Sequence, residues 1–211
     1  MPFTKQQRKP RYRRVSTTKI RLQERDKEII NQVYKHRFLT SEHLTALVPG
    51  SQQVILRRLH LLFHAGYLSR PPEQIRPYQQ GSNPIVYGLG NKGADLLALE
   101  FQIPRAKVDW TSKNRDVKRI YLEHSLMIAH FMVCLELACR QHPSLELIEP
   151  QEIISSLSAK SQNQANPLSW KVNLTRDWQG EKRKLNFSMV PDKVFGLYFP
   201  EDPPGRNRAF F

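Results

Sequence analysis

The chain has little cysteine: two in 211 residues, Cys134 and Cys139, both within one apolar stretch. That number and placement offer neither a disulfide framework nor a structural zinc cluster. A long uncharged apolar run is also missing. The longest, Ser125 to Leu135, contains His130 and is fenced by Glu123 and Glu136, well short of the ~20 residues that cross a bilayer. No apolar segment follows the basic residues at the N-terminus, so the expectation is a cytoplasmic protein without a secretory signal or a membrane partner. There is no Gly-rich phosphate loop and no nucleophile elbow. His60 and His64 stand four apart, yet no third ligand completes a zinc-hydrolase pattern. No metal and no cofactor are therefore expected, and both histidines read as surface residues.

What the chain does have is positive charge. Lys and Arg number 33 against 19 Asp and Glu, a net +14. The 39% of hydrophobic residues is enough for a core and excludes wholesale disorder. The excess sits in the first half: residues 1–95 carry 17 basic and 6 acidic side chains, residues 96–211 carry 16 and 13. Such asymmetry points to a polyanion, and double-stranded DNA is the expected partner.

Residues 1–21 hold eight basic and no acidic residues. They read as a disordered arm, with Arg11, Arg13 and Arg14 available to phosphates or a minor groove. From Leu22, the apolar positions Leu22, Ile29, Ile30 and Val33 predict an amphipathic helix that ends at Phe38 and Leu39. Thr40 or Ser41 caps a short helix over Glu42–Leu47. Val48-Pro49-Gly50 stops it, Ser51 caps a third helix from Gln52 to Ala65, and Gly66 ends that one. Short helix, tight turn and longer helix is the helix-turn-helix plan. Ile55, Leu59, Leu62 and Phe63 can pack inward, leaving Ser51, Gln52, Gln53, Leu56, Arg57 and His60 toward a major groove, with Arg58 at a phosphate. Strands at Tyr67–Ser69 and Ile85–Leu89 then form a wing whose loop offers Arg70, Arg76, Tyr78, Gln79, Gln80 and Asn83. Asn91 caps a fourth helix, closing a winged helix-turn-helix domain over residues 22–100.

A polar linker, residues 101–115, leads to residues 116–211. There a long helix, Asp116–Gln141, bears a broad apolar stripe of Ile120, Leu126, Met127, Phe131, Cys134, Leu135 and Ala138 that suits packing across a sheet. Strands are expected at Leu145–Glu149, Trp170–Thr175, Leu185–Val190 and Val194–Phe199, with loop over residues 155–169 and Lys182-Arg183-Lys184 at a hairpin tip. The last residues, Arg208 to Phe211, read as a strand that has only begun. The predicted class is α+β, with a mostly antiparallel or mixed sheet.

These residues resemble the replication-relaxation family of plasmid and mobile-element proteins. The likeness lies in Ser51-Gln52-Gln53-Val54, Arg57-Arg58-Leu59, Ala65-Gly66-Tyr67-Leu68, Tyr87-Gly88-Leu89 and Gly93-Ala94, then in Leu122-Glu123-His124-Ser125-Leu126 and Val190-Pro191-Asp192. It implies a winged helix joined to a domain similar to a restriction-endonuclease core, with a role in replication or mobilisation. In that core a Pro-Asp pair is followed by an acidic residue, any residue and lysine, which together hold a metal and polarise water. Asp192 fits the first position and Glu123 is a helix-borne acid. After Asp192, however, only Glu201 and Asp202 remain acidic and no lysine follows Lys193. The expectation is therefore a non-enzymatic, sequence-specific DNA-binding regulator or accessory factor, with a homodimer and replication, transfer or transposition proteins as partners. The alternatives are a metal-dependent nuclease or nickase, and an adaptor that recruits such machinery.

Overall fold

The computed structural model describes residues 12–14, 19–74, 83–100, 103, 105, 117–162, 167–178 and 181–211. The chain divides into two units, residues 1–133 and 134–211. Together they make an α+β protein with several small antiparallel sheets.

In the first unit, α1 covers Glu24–His36. Its entry is fixed by a capping box in which the Gln23 backbone N–H donates to Asp26 at 2.7 Å. Arg37 ends the helix with φ at 65° and ψ at −51°, a positive-φ conformation that turns the chain at once into β1, Phe38–Thr40. These residues were expected only to terminate a helix, so the strand is an addition. Thr40 caps α2, Ser41–Leu47, and after the turn comes α3, Gln52–Ala65, which Gly66 closes with φ at 93°. β2 (Leu68–Ser69), a 3-10 turn (Pro72–Gln74), β3 (Val86–Leu89) and α4 (Asn91–Glu100) complete the run. The strand order is β1-β3-β2, antiparallel throughout, with Phe38 opposite Gly88 and Leu68 opposite Leu89.

The core lies between the helices and this sheet: Ile29, Ile30, Val33, Leu44, Ile55, Leu59, Leu62, Leu89 and Leu97 are fully or almost fully buried. A second cluster joins Phe38 and Val86 to Val117, Leu122 and Leu126. The first part of the long helix, α5 (Arg119–Gln141), thus packs on the first unit, and the division between units falls inside this helix. A side-chain clamp holds the base of the segment between the 3-10 turn and β3. The Gln74 amide donates to the Val86 carbonyl at 3.0 Å and to the Pro71 carbonyl at 2.9 Å, and accepts from the Val86 N–H at 2.8 Å. One side chain here does the work of a missing neighbouring strand.

The face of α5 that is buried differs from the predicted one. Leu122, Ala129, Met132 and Val133 are covered, whereas Ile120, Met127 and Phe131 are exposed. The helix is apolar on both sides, so periodicity alone could not choose between them. It is also the one described helix long and apolar enough, by length and composition, to cross a membrane, a test that core helices pass as well.

In the second unit, β4 (Glu146–Ile148), β7 (Gly196–Tyr198) and β8 (Arg208–Phe210) form an antiparallel sheet in the order β4-β7-β8. The last strand is a full partner of β7, with Leu197 opposite Ala209. Between them lie α6 (Pro150–Ser156) and α7 (Ala159–Gln162), where loop was expected from residue 155. Ser158 explains the latter, since its carbonyl accepts from Ser161 and Gln162 at 2.9 and 3.0 Å. β5 (Trp170–Trp178) and β6 (Glu181–Met189) form a separate two-stranded ribbon. At nine residues each, they are longer than predicted because pairing carries polar positions into the ladder.

Candidate nucleic-acid interface

The turn at Val48-Pro49-Gly50 delivers the N-terminal end of α3 to the surface. Ile55, Leu59, Leu62 and Phe63 hold the helix to the core, as their spacing demands. Ser51, Gln52, Gln53, Leu56 and Arg57 are all exposed, and His60, half-buried, continues the same side. Two amides and a guanidinium on one helix end give the donor and acceptor set that reads adenine and guanine edges. Leu56 supplies an apolar contact of the kind a thymine methyl accepts. His60 stacks on His64 with ring centroids 4.4 Å apart. His64 itself is buried and is not the surface histidine that was expected.

Three arginines assigned to DNA make contacts within the protein, Arg58 and Arg70 with little exposure and Arg14 while remaining exposed. Arg58 packs beside the Ile55 and Leu59 face. Its Nε donates to Asp26 Oδ1 at 2.8 Å, one Nη donates to the other carboxylate oxygen, and that same Nη reaches the Arg21 carbonyl at 3.1 Å. Asp26 is fully buried and the Arg58 side chain is 13% exposed, so this guanidinium ties α3 to the start of α1 and is not presented to a phosphate. Arg70 is 9% exposed. It stacks 4.1 Å from the Phe63 ring centroid and 5.0 Å from that of Tyr87, and it donates to the Tyr87 hydroxyl at 3.0 Å. Arg14 donates to the carbonyls of Phe63 and Leu68 at 3.1 and 2.8 Å, clipping the N-terminal segment to the C-terminal end of α3. Arg13 is exposed. Arg11, Arg76, Tyr78, Gln79 and Gln80 lie outside the described residues.

The carboxylates of the alternative reading fall in different units. Glu123 pairs with Arg119 at 2.9 Å on an exposed turn of α5, bordering a groove of about 210 Å³ that Glu73 and Asn83 also line. Asp192 is exposed in the bend that follows β6. Among the described residues, no three His, Cys, Asp or Glu side chains come together as metal ligands.

The replication-relaxation family model matches residues 30–197, most of the chain. The chain belongs to the replication-relaxation family. Membership suggests a role in the replication or mobilisation of plasmids or other mobile elements. Comparison with curated proteins and with solved structures gives no match.

In this replication-relaxation chain the Thr40 cap was expected, but the pairing of His43 with His130 carried no signal in the sequence. Thr40 and His43 form a reciprocal cap at the start of α2. The His43 N–H donates to Thr40 Oγ1 at 3.1 Å, and His43 Nδ1 accepts from the Thr40 N–H at 3.3 Å. Nε2 therefore carries the ring proton and meets His130 Nδ1, on α5, at 3.2 Å. Burial, then the positive charge that His130 and His36 can carry, pushes His43 down to about 4. The unfolded chain takes up this proton near the ordinary value of ~6.5, the folded one only near the lower value. Stability contributed by neutral His43 is thus fully present above about pH 6.5 and is lost as pH falls toward 4. On the order of 1 kcal/mol is expected after allowance for solvent screening. Urea midpoints at pH 7.5 and pH 5 should differ more for the native chain than for His43→Gln; parallel pH slopes would remove His43 as the cause.

Proposed function

We propose that the chain is a sequence-specific, duplex-DNA-binding accessory factor or regulator in plasmid or mobile-element replication or mobilisation. It would read the major groove as a winged helix-turn-helix protein. The observation that carries this reading is the exposed N-terminal face of α3, where Gln52, Gln53, Leu56 and Arg57 stand together directly after a tight turn. The net charge of +14 supports it by drawing the chain to phosphates whatever the sequence. The segment before β3 would act as the wing. A homodimer would let two copies of α3 address repeated half-sites, and replication or transfer proteins would be recruited through the remainder of the surface.

Binding to a random duplex pool at physiological salt, with sequencing of the retained DNA, tests the proposal. A defined motif is expected. Arg57→Ala should weaken binding to that motif by ~1–3 kcal/mol and relax selectivity at one position. Equal weakening on every sequence would move Arg57 to the backbone, and retention of DNA without any motif would overturn sequence-specific reading.

A further inference from the structure

The β5–β6 ribbon has two chemically distinct faces. The register sets Val172 opposite Phe187 and Leu174 opposite Leu185, so one face carries these apolar pairs and continues to Arg176. Because side chains alternate across a strand, the other face carries the intervening pairs: Lys171 with Ser188, Asn173 with Asn186, and Thr175 with Lys184. All six of these residues are exposed. A concavity of about 310 Å³ there is lined by Asn173, Leu174, Thr175, Lys184 and Asn186. Two lysines and no acid occur among the six, and Asp177, the next position on this face, stands opposite Lys182 in the register.

We infer that this polar face is a second DNA-reading surface, a two-stranded ribbon that enters a major groove. The inference rests on the DNA-binding function proposed above and adds a reader in the second unit. A major groove about 12 Å wide admits a two-stranded antiparallel ribbon as readily as a helix. Directly opposed residues in such a ladder have Cα atoms about 4.5–5.5 Å apart, so the two central asparagine amides address one base pair or adjacent ones. An asparagine amide pairs in two-pronged fashion with the N6 and N7 edge of adenine, while lysine suits guanine O6 and N7 or a phosphate. From Lys171 to Thr175 the strand advances roughly 13 Å, the rise of about four base pairs. The apolar face is itself exposed at Leu174, Leu185, Phe187 and Met189, so the polar face is assigned to DNA on its chemistry alone.

The test selects DNA from a random duplex pool with the intact chain, then with Asn173→Ala/Asn186→Ala and separately with Arg57→Ala. The native chain should recover two separable blocks. The double alanine variant should erase an adenine-containing block of about four base pairs and weaken binding roughly tenfold or more, while Arg57→Ala erases the other block. A motif and affinity unchanged in the double variant, beside a block lost in Arg57→Ala, overturns the ribbon contact and leaves the α3 reading standing. The reverse pattern removes α3 and keeps the ribbon. Failure of the native chain to select any motif overturns both. Asn173→Asp/Asn186→Asp keeps the side-chain shape while placing two acids against the phosphates, so it guards against a loosened hairpin: its affinity should fall at least as far, and retained affinity overturns the proposal.

Discussion

Replacing Arg58 with alanine should lower the unfolding free energy by about 3–5 kcal/mol, because it strands the fully buried Asp26 carboxylate without its cation. The loss has a particular origin. Asp26 also accepts from the Gln23 N–H in the cap of α1, so the carboxylate sits at the junction of two helices and cannot turn to water. Arg58→Met combined with Asp26→Leu should recover much of the deficit, since an apolar pair carries no desolvation cost. Urea unfolding of the native chain, the single variant and the pair measures this. A single variant within about 1 kcal/mol of the native chain would show that the ion pair contributes like an exposed one. The experiment also separates fold from function: Arg57, one residue earlier, is exposed and should change DNA binding with little effect on stability.

Gly93→Ala should destabilise the protein by about 3 kcal/mol, the upper end of overpacking costs. In an ordinary helix the same change stabilises by roughly 1 kcal/mol. Here a Cβ on Gly93 would fall onto the Tyr67 carbonyl oxygen, far inside contact distance, and would meet Leu89 Cδ1 at 3.0 Å. The obstacle is backbone that already accepts a hydrogen bond from Gly90 at 2.9 Å, so it cannot swing aside as a long side chain would. Thermal unfolding should show a lower midpoint for Gly93→Ala, whereas a midpoint equal to or above that of the native chain would mean that the Tyr67 strand end moves freely.

Much of the first unit was legible in the sequence because its punctuation is local. Ser51, Gly66 and the Val48-Pro49-Gly50 turn bracket α3, and the spacing of Ile55, Leu59 and Leu62 assigns its inner face. The exposed end of the candidate site follows from the same spacing. What remained hidden depends on contacts distant along the chain. Arg58 lies 60° around the helix from Ile55, on the margin of the buried face, and only Asp26, 32 residues earlier, decides that it turns inward. Arg70 reads as a loop cation until Phe63 and Tyr87 are brought to either side of it. β1 is three residues long and exists because β3, beyond two helices, supplies its partner. The long helix is ambiguous for the opposite reason, having apolar residues on more sides than one neighbour can cover.

The Gln74 clamp bears on how this protein can be altered. With both hydrogen-bonding groups of Val86 satisfied by one side-chain amide, the ends of the intervening segment are fastened independently of what runs between them. Lengthening a connection whose ends are already joined costs only about 0.6 kcal/mol per doubling. An insertion between Gln74 and Val86 should therefore cost little folding stability as long as Gln74 itself is kept, so that any loss of DNA binding it causes can be read as loss of a contact.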